Sequence, residues 1–171
     1  MPDLDPLRSR NKQFAESFEG RDLPIRSRFP LVVISCIDPR TSPVHYLKLE
    51  MGDAYVMRTV GGRVTDTVEA ELAILWFLLE HTSGSKPDLS VMVVHHTDCG
   101  MQKISSEESR IDLTEFMGTD RFTDTYPAPD PRESVHFDVE RLRTSTRVPG
   151  GFTVTGHVFD VKTGRLHQII E

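Results

Sequence analysis

The chain has 171 residues, 37% hydrophobic and 27% charged, with a formal net charge of −6 at pH 7. That composition belongs to a folded protein rather than a disordered one, and the length suits one domain over residues 1–171 with a single core. An acidic balance without any Lys/Arg run excludes a nucleic-acid or anionic-membrane surface, since both need clustered positive charge.

The opening Met1-Pro2-Asp3-Leu4-Asp5-Pro6 holds acids and prolines and no apolar h-region, so no secretory signal is expected there and the expected compartment is the cytoplasm. Residues 8–28 read as a polar amphipathic helix, Phe14 and Phe18 on one face, followed by a Gly-Arg-Asp-Leu-Pro turn. Leu31 to Asp38 is a nearly continuous apolar, β-branched run, the pattern of a strand buried on both faces of a parallel sheet. Pro39 ends it, because proline cannot donate to a ladder.

A second strand is predicted over Ala54–Val60, closed by Gly61-Gly62. Thr65-Asp66-Thr67 then caps a helix running to about His81. Its apolar block, Leu72 to Leu79, is too short to cross a bilayer and is expected in the core, Trp76, Phe77 and the adjoining leucines included. After the Ser83–Pro87 loop, a third strand is predicted over Leu89–His96, ending in Thr97-Asp98-Cys99-Gly100. From Gln102 to Pro149 the sequence is polar and proline-rich, with a helix predicted around Glu133–Thr144 and an irregular stretch over Thr123–Pro131. Gly151 to Leu166 alternates and turns at Lys162-Thr163-Gly164, which predicts a hairpin adding antiparallel strands to one edge. The expected fold is α/β, a mostly parallel central sheet with flanking helices and an antiparallel C-terminal edge.

Two short motifs carry chemistry: Cys36-Ile37-Asp38-Pro39-Arg40 and His96-Thr97-Asp98-Cys99-Gly100. These are the only two cysteines, and in a chain without signs of secretion they suggest a metal or catalytic role rather than a disulfide. Thiolate and imidazole suit zinc, and three protein ligands leave one position for water. Cys36 and His96 sit at the ends of predicted inner strands, where α/β sheets bind ligands. His96 and Cys99 can converge across a tight turn. The expected metal set is therefore Cys36, His96 and Cys99 around Zn2+. Asp38 and Arg40 are spaced to pair, the arginine holding the carboxylate. If that pair opens, Asp38 becomes available as a fourth zinc ligand that excludes water. His95 alternates to the opposite side of its strand from His96 and reads as a core or interface residue. His45, His81, His136, His157 and His167 read as surface or packed residues, and Asp98 as a turn former. Gly61 and Gly62 read as a backbone bend or close approach near the site.

Cys-x-Asp-x-Arg followed by His-x-x-Cys-Gly resembles the β-class carbonic anhydrases. Arg58-Thr59-Val60-Gly61-Gly62 resembles that family's Arg-Asn-Ala-Gly-Gly segment. The stretches Asp138–Ser145 and Val158–Leu166 resemble its short, archaeal-type branch, which includes carbonyl sulfide and carbon disulfide hydrolases. The resemblance runs from about residue 10 to the end. It implies Cys36, His96 and Cys99 as zinc ligands, and Asp38 and Arg40 as a catalytic pair beside the metal's water. It also implies homodimers, often paired into tetramers. The implied activity is zinc-dependent hydration of carbon dioxide to bicarbonate by a metal-bound hydroxide. The alternatives are hydrolysis of carbonyl sulfide or carbon disulfide at the same site, and a non-catalytic zinc sensor with Asp38 locked on the metal. Two departures stand out. Pro39 replaces a common Ser or Ala, and Thr59-Val60 replaces Asn-Ala, placing a β-branched residue in a pocket segment formed with Gly61 and Gly62.

Overall fold

Hydrophobic β-branched sequence forms the inner strands here, as their two-sided burial requires. The computed structural model describes residues 2–120 and 128–171. In chain order the main elements are α1 (Asp5–Glu16), β1 (Leu31–Cys36), α2 (Pro43–Tyr46), β2 (Tyr55–Thr59), α3 (Asp66–Ser83), β3 (Ser90–His96), α4 (Glu107–Met117), α5 (Pro131–Thr144), β4 (Thr153–Phe159) and β5 (Leu166–Ile170). The five strands form one sheet in the order β2-β1-β3-β4-β5. β1 pairs in parallel with β2 and β3, β3 pairs in parallel with β4, and only β5 runs antiparallel. The C-terminal hairpin is therefore present, but its first strand joins the parallel part of the sheet. Gly164, at φ 69, makes the turn between its arms.

One face of the sheet packs Val32, Ile34, Val91 and Val93 against α3 and α5. Thr65 caps α3 by accepting a hydrogen bond from the Val68 N–H, and left-handed Gly84 ends it. Val68, Leu72, Trp76 and Leu79 are buried, each worth about 1.5–3 kcal/mol relative to exposure. Phe77 and Leu78 depart from the core expectation, at 68% and 42% exposed, as does Ile74 at 65%. The physical reason is periodicity: eight consecutive apolar residues encircle a helix, and a sheet covers only one stripe of it.

α5 begins with Pro131 at a favoured first-turn position, and the Asp130 carboxylate accepts from the N–H groups of Arg132 (2.7 Å) and Glu133 (3.1 Å). Beneath it lies a fully buried polar cluster. Asp138 accepts from Arg63 Nε (2.8 Å) and Arg63 Nη2 (3.2 Å), and its Oδ2 lies 2.8 Å from His95 Nε2.

Two further differences from the sequence expectations concern the periphery. The N-terminal helix occupies Asp5–Glu16, with only a single 3₁₀ turn at Gly20–Asp22 beyond it. α4 is an additional helix, capped by the Ser106 hydroxyl and by Gly118, with no buried residue. Residues 123–127 of the predicted irregular stretch lie outside the described residues. Among the described residues no helix is long and apolar enough to cross a membrane.

Candidate metal centre

The register of β1 on β3, with Ser35 opposite Val94, brings the carboxyl ends of both strands to one edge. Cys36 is the last residue of β1 and His96 the last of β3. Beyond His96 the chain is pinned to its neighbours. The Thr97 N–H donates to the Phe159 carbonyl (3.0 Å), and its hydroxyl accepts from the Val161 N–H (3.1 Å). Asp98 then takes a left-handed conformation, φ 55, which reverses the chain. Cys99 starts a 3₁₀ helix at Gly100–Ile104 and is fixed by its N–H donating to Gln102 Oε1 (2.9 Å).

This construction places one ligand atom each from Cys36, His96 and Cys99 within 4.8 Å of one another, all three residues buried. The His96 ring is oriented by Nδ1, 2.9 Å from the Thr97 carbonyl. A carbonyl only accepts, so Nδ1 carries the proton and Nε2 presents its lone pair. That Nε2 is buried and has no hydrogen-bond partner. An orphaned acceptor beside two thiols is costly for a protein core and suited to a soft, tetrahedral cation. The donor set fits zinc.

The charges agree with that fit. The Cys99 thiol hydrogen-bonds to Cys36 and holds the Cys36 thiol well below its usual range, with burial opposing and His96 assisting. The same hydrogen bond, with burial, pushes Cys99 up. Burial opposes ionisation of His96, but the charge of the adjacent Cys36, with the Thr97 carbonyl, outweighs that and raises it.

Asp38 and Arg40 stand beside these residues and pair as their spacing suggested. Arg40 donates from Nε to Asp38 Oδ1 (3.0 Å), from Nη2 to Asp38 Oδ2 (2.7 Å) and from its backbone N–H to Oδ1 (2.9 Å). This arginine holds the Asp38 carboxyl down to about 2. The Asp38 N–H in turn donates to Cys36 Sγ at 3.4 Å. Two residues of this neighbourhood make contacts that the sequence reading did not assign to them. Arg58 donates to the carbonyls of Cys36 (2.9 Å) and Asp38 (2.6 Å), bracing the loop that leaves β1. Asp98 accepts from Arg40, Nη1 donating to Oδ2 (2.8 Å) and Nη2 to the Asp98 carbonyl (2.9 Å). The signal for Arg58 was a cation at the end of the strand beside β1. For Asp98 it was a second acid facing the same arginine.

The segment following β2 lies against this edge. The Thr59 hydroxyl donates to the Arg63 carbonyl (2.9 Å), and Val60 is 43% exposed. Gly61 and Gly62 are buried at φ 71 and 72. A Cβ on Gly62 would stand 3.1 Å from the Val94 carbonyl oxygen and 3.2 Å from the Cys36 nitrogen, so the bend requires glycine. Among the histidines, His95 is buried on Asp138, and His157 is buried with Nδ1 unpartnered. His45, His81, His136 and His167 are exposed, away from any core.

A family model described as carbonic anhydrase matches residues 31–125. β-Carbonic anhydrase 1 of Mycobacterium tuberculosis is 29% identical over 165 residues, 96% of this chain and 96% of that one. A carbon disulfide hydrolase of Acidianus is 29% identical over 164 residues, 81% of this chain and 76% of that one. Among solved structures, the carbonic anhydrase of Streptococcus mutans superposes with a TM-score of 0.81 at 30% identity, covering 99% of this chain and 98% of that one.

Proposed function

The chain belongs to the β-class carbonic anhydrase family, and on that premise we propose that it reversibly hydrates carbon dioxide at a zinc ion held by Cys36, His96 and Cys99. The observation that carries this is the buried, unpartnered His96 Nε2, grouped with two thiols and flanked by a fixed carboxylate. The chemistry such an ion supplies when bound is Lewis acidity, which lets water lose a proton near neutrality.

The chain's own residues supply the rest. Asp38 is kept ionised by Arg40, and its oxygens retain acceptor capacity beyond the arginine bonds. It is therefore assigned the task of accepting a hydrogen bond from the reacting water and orienting its lone pair toward substrate. Arg40 keeps that carboxylate in place. Thr59, Val60, Gly61 and Gly62 are assigned to the pocket wall, with Val60 as its apolar surface. Loss of Asp38 or Arg40 would have favoured a sensor with the carboxylate locked on the metal, and both residues are present.

The test is stopped-flow hydration with zinc determined on each preparation. Cys36→Ser, His96→Ala and Cys99→Ser are expected to lose zinc and turnover together. Asp38→Ala is expected to keep zinc and lose about 10²–10⁴-fold in kcat/KM, the range for a positioned proton-handling group. Full activity in Asp38→Ala refutes its role.

A second substrate reading rests on the carbon disulfide hydrolase among the relatives. Carbonyl sulfide and carbon disulfide are linear and apolar like carbon dioxide, and the same residues would serve. The ratio of kcat/KM for the three substrates, on one zinc-loaded sample, decides which is the substrate.

The proposal extends to assembly. α1 has no buried residue although Leu7 and Phe14 are exposed at 56% and 50%, and Ile74 and Phe77 leave an apolar stripe on α3. We assign these stripes to a homodimer, which could pair into a tetramer, of single-domain chains in the cytoplasm, where the ligand thiols stay reduced. Light scattering is expected to give a dimer or larger, and Phe77→Glu to shift it toward monomer.

A further inference from the structure

Arg40 reaches in two directions. Its guanidinium has five N–H donors, and four are placed: Nε and one Nη2 hydrogen on Asp38, the other Nη2 hydrogen on the Asp98 carbonyl, and Nη1 on the Asp98 carboxylate. The first partner lies on the loop leaving β1, the second in the turn between His96 and Cys99. Arg40 thus ties together the two motifs that approach the metal centre from different strands.

Asp98 occupies its position against a backbone preference. At φ 55 it is, with Lys48, one of two non-glycine residues with positive φ among the described residues, and glycine would adopt that conformation at less cost. What glycine cannot supply is the carboxylate on Arg40. Without that carboxylate the guanidinium, whose side chain is 49% exposed, keeps only the Asp98 carbonyl on that side, with a long flexible stem behind it.

We propose that Asp98 is a positioning residue: it fixes the plane of Arg40 and, through it, holds Asp38 in the bidentate pair and away from the metal position. This rests on the zinc reading of the site. Two opposing effects decide its sign. Asp98 shares the positive charge of Arg40 and so weakens its pull on Asp38, but it also removes the rotamer freedom that a bidentate pair must otherwise freeze. The Asp98 side chain is 53% exposed, so solvent screens its repulsion of Asp38. The positional effect is not screened and prevails.

The experiment compares wild type with Asp98→Gly, which suits the left-handed backbone and removes the carboxylate while leaving the carbonyl contact, and Asp98→Asn, which keeps the shape and removes the charge. In the metal-free proteins, solvent exchange of the Arg40 Nε–H is read by NMR. It is expected to be about fivefold faster in Asp98→Gly, the size of one exposed pair with good geometry, with Asp98→Asn in between. In zinc-loaded crystals, Asp98→Gly is expected to retain zinc and to show Asp38 wholly or partly on the metal, with kcat/KM per zinc reduced about fivefold. Unchanged or slower Arg40 exchange, or Asp38 remaining on Arg40 in Asp98→Gly, overturns the proposal. A wild type that binds no zinc refutes the zinc reading instead, and the metal-free exchange comparison still decides the role of Asp98.

Discussion

The buried cluster of Arg63, His95 and Asp138 allows a sharp test of how the site's scaffold is held. Asp138 is fully buried, and the Arg63 and His95 side chains are 4% and 2% exposed. Asp138→Ala removes a carboxylate that Arg63 Nε and Nη2 and His95 Nε2 all contact. The guanidinium then loses its buried carboxylate partner while keeping the Phe137 ring contact, centroid 5.4 Å away. Removing one partner of a buried ion pair costs about 3–5 kcal/mol. For a chain of this size that corresponds to a fall in Tm of about 6–20 °C, from about 2–4 °C per kcal/mol. Urea melts are followed by the emission of Trp76, the single tryptophan, which is 7% exposed in the native state. Protein concentration is held fixed, because assembly adds to apparent stability. The double variant Arg63→Met/Asp138→Leu is expected to recover part of the loss, as apolar replacements of buried pairs do. A cost below about 1 kcal/mol in Asp138→Ala would show that Arg63 does not depend on this carboxylate for its burial, contradicting the reasoning on which the magnitude was worked out.

Gly62→Ala is expected to cost about 1–3 kcal/mol, from the left-handed backbone and a Cβ pressed between the Val94 oxygen and the Cys36 nitrogen, and to lower zinc retention after dialysis. Chelation of zinc is expected to expose Cys36 and Cys99 to a thiol reagent and to lower stability by about 2.7 kcal/mol relative to zinc held at a hundred times its Kd; thiols equally reactive with and without zinc would refute their role as ligands. His157 is buried and its pKa is lowered by desolvation, so below the ordinary histidine value of about 6.5 the unfolded chain takes up a proton that the folded one resists. Its contribution is therefore present above that value and is lost as pH falls toward the lowered folded value. Zinc-free His157→Phe is expected to lose less stability between pH 7.5 and pH 5.5 than the zinc-free parent, as measured by urea midpoints.

What the sequence disclosed depended on how local the cause was. β1 and β3 were legible because two-sided burial demands an uninterrupted apolar run, and α3 because Thr65, a capping residue, precedes one. The convergence of Cys36, His96 and Cys99 was legible because thiols and imidazole at strand ends and across a tight turn are placed to meet. Phe77 was misjudged because apolar sequence reports what wants burial, whereas exposure in one chain depends on which stripe the sheet reaches. α4 escaped notice because it buries nothing, so its only signals were the Ser106 cap and Gly118. Asp98 was taken for a turn residue, and its backbone is that of one; its contact with Arg40 depends on two loops meeting in space, which no spacing within either motif encodes.

The place where those loops meet follows from strand order. From β1 the chain passes outward to β2, then crosses behind β1 to β3, and from β3 it proceeds the other way to β4. Connections therefore leave β1 and β3 in opposite directions, and the gap between their carboxyl ends is the crevice that parallel sheets offer to ligands. Cys36 and His96 are the residues at its two lips. A crevice opened by diverging loops needs something to hold its sides in register, and the backbone ladder has already ended. Arg40 is placed for that task, reaching from the β1 side to Asp98 on the β3 side, while Arg58 reaches from β2 to the carbonyls of Cys36 and Asp38. Both arginines act on the loop that carries Asp38, one through its carboxylate and one through its backbone. Substituting Arg58 should therefore disturb the orientation of Asp38 without removing a metal ligand. Arg58→Met is expected to retain zinc and to lower kcat more than it raises KM; loss of zinc in step with activity would instead make Arg58 a support of Cys36 alone.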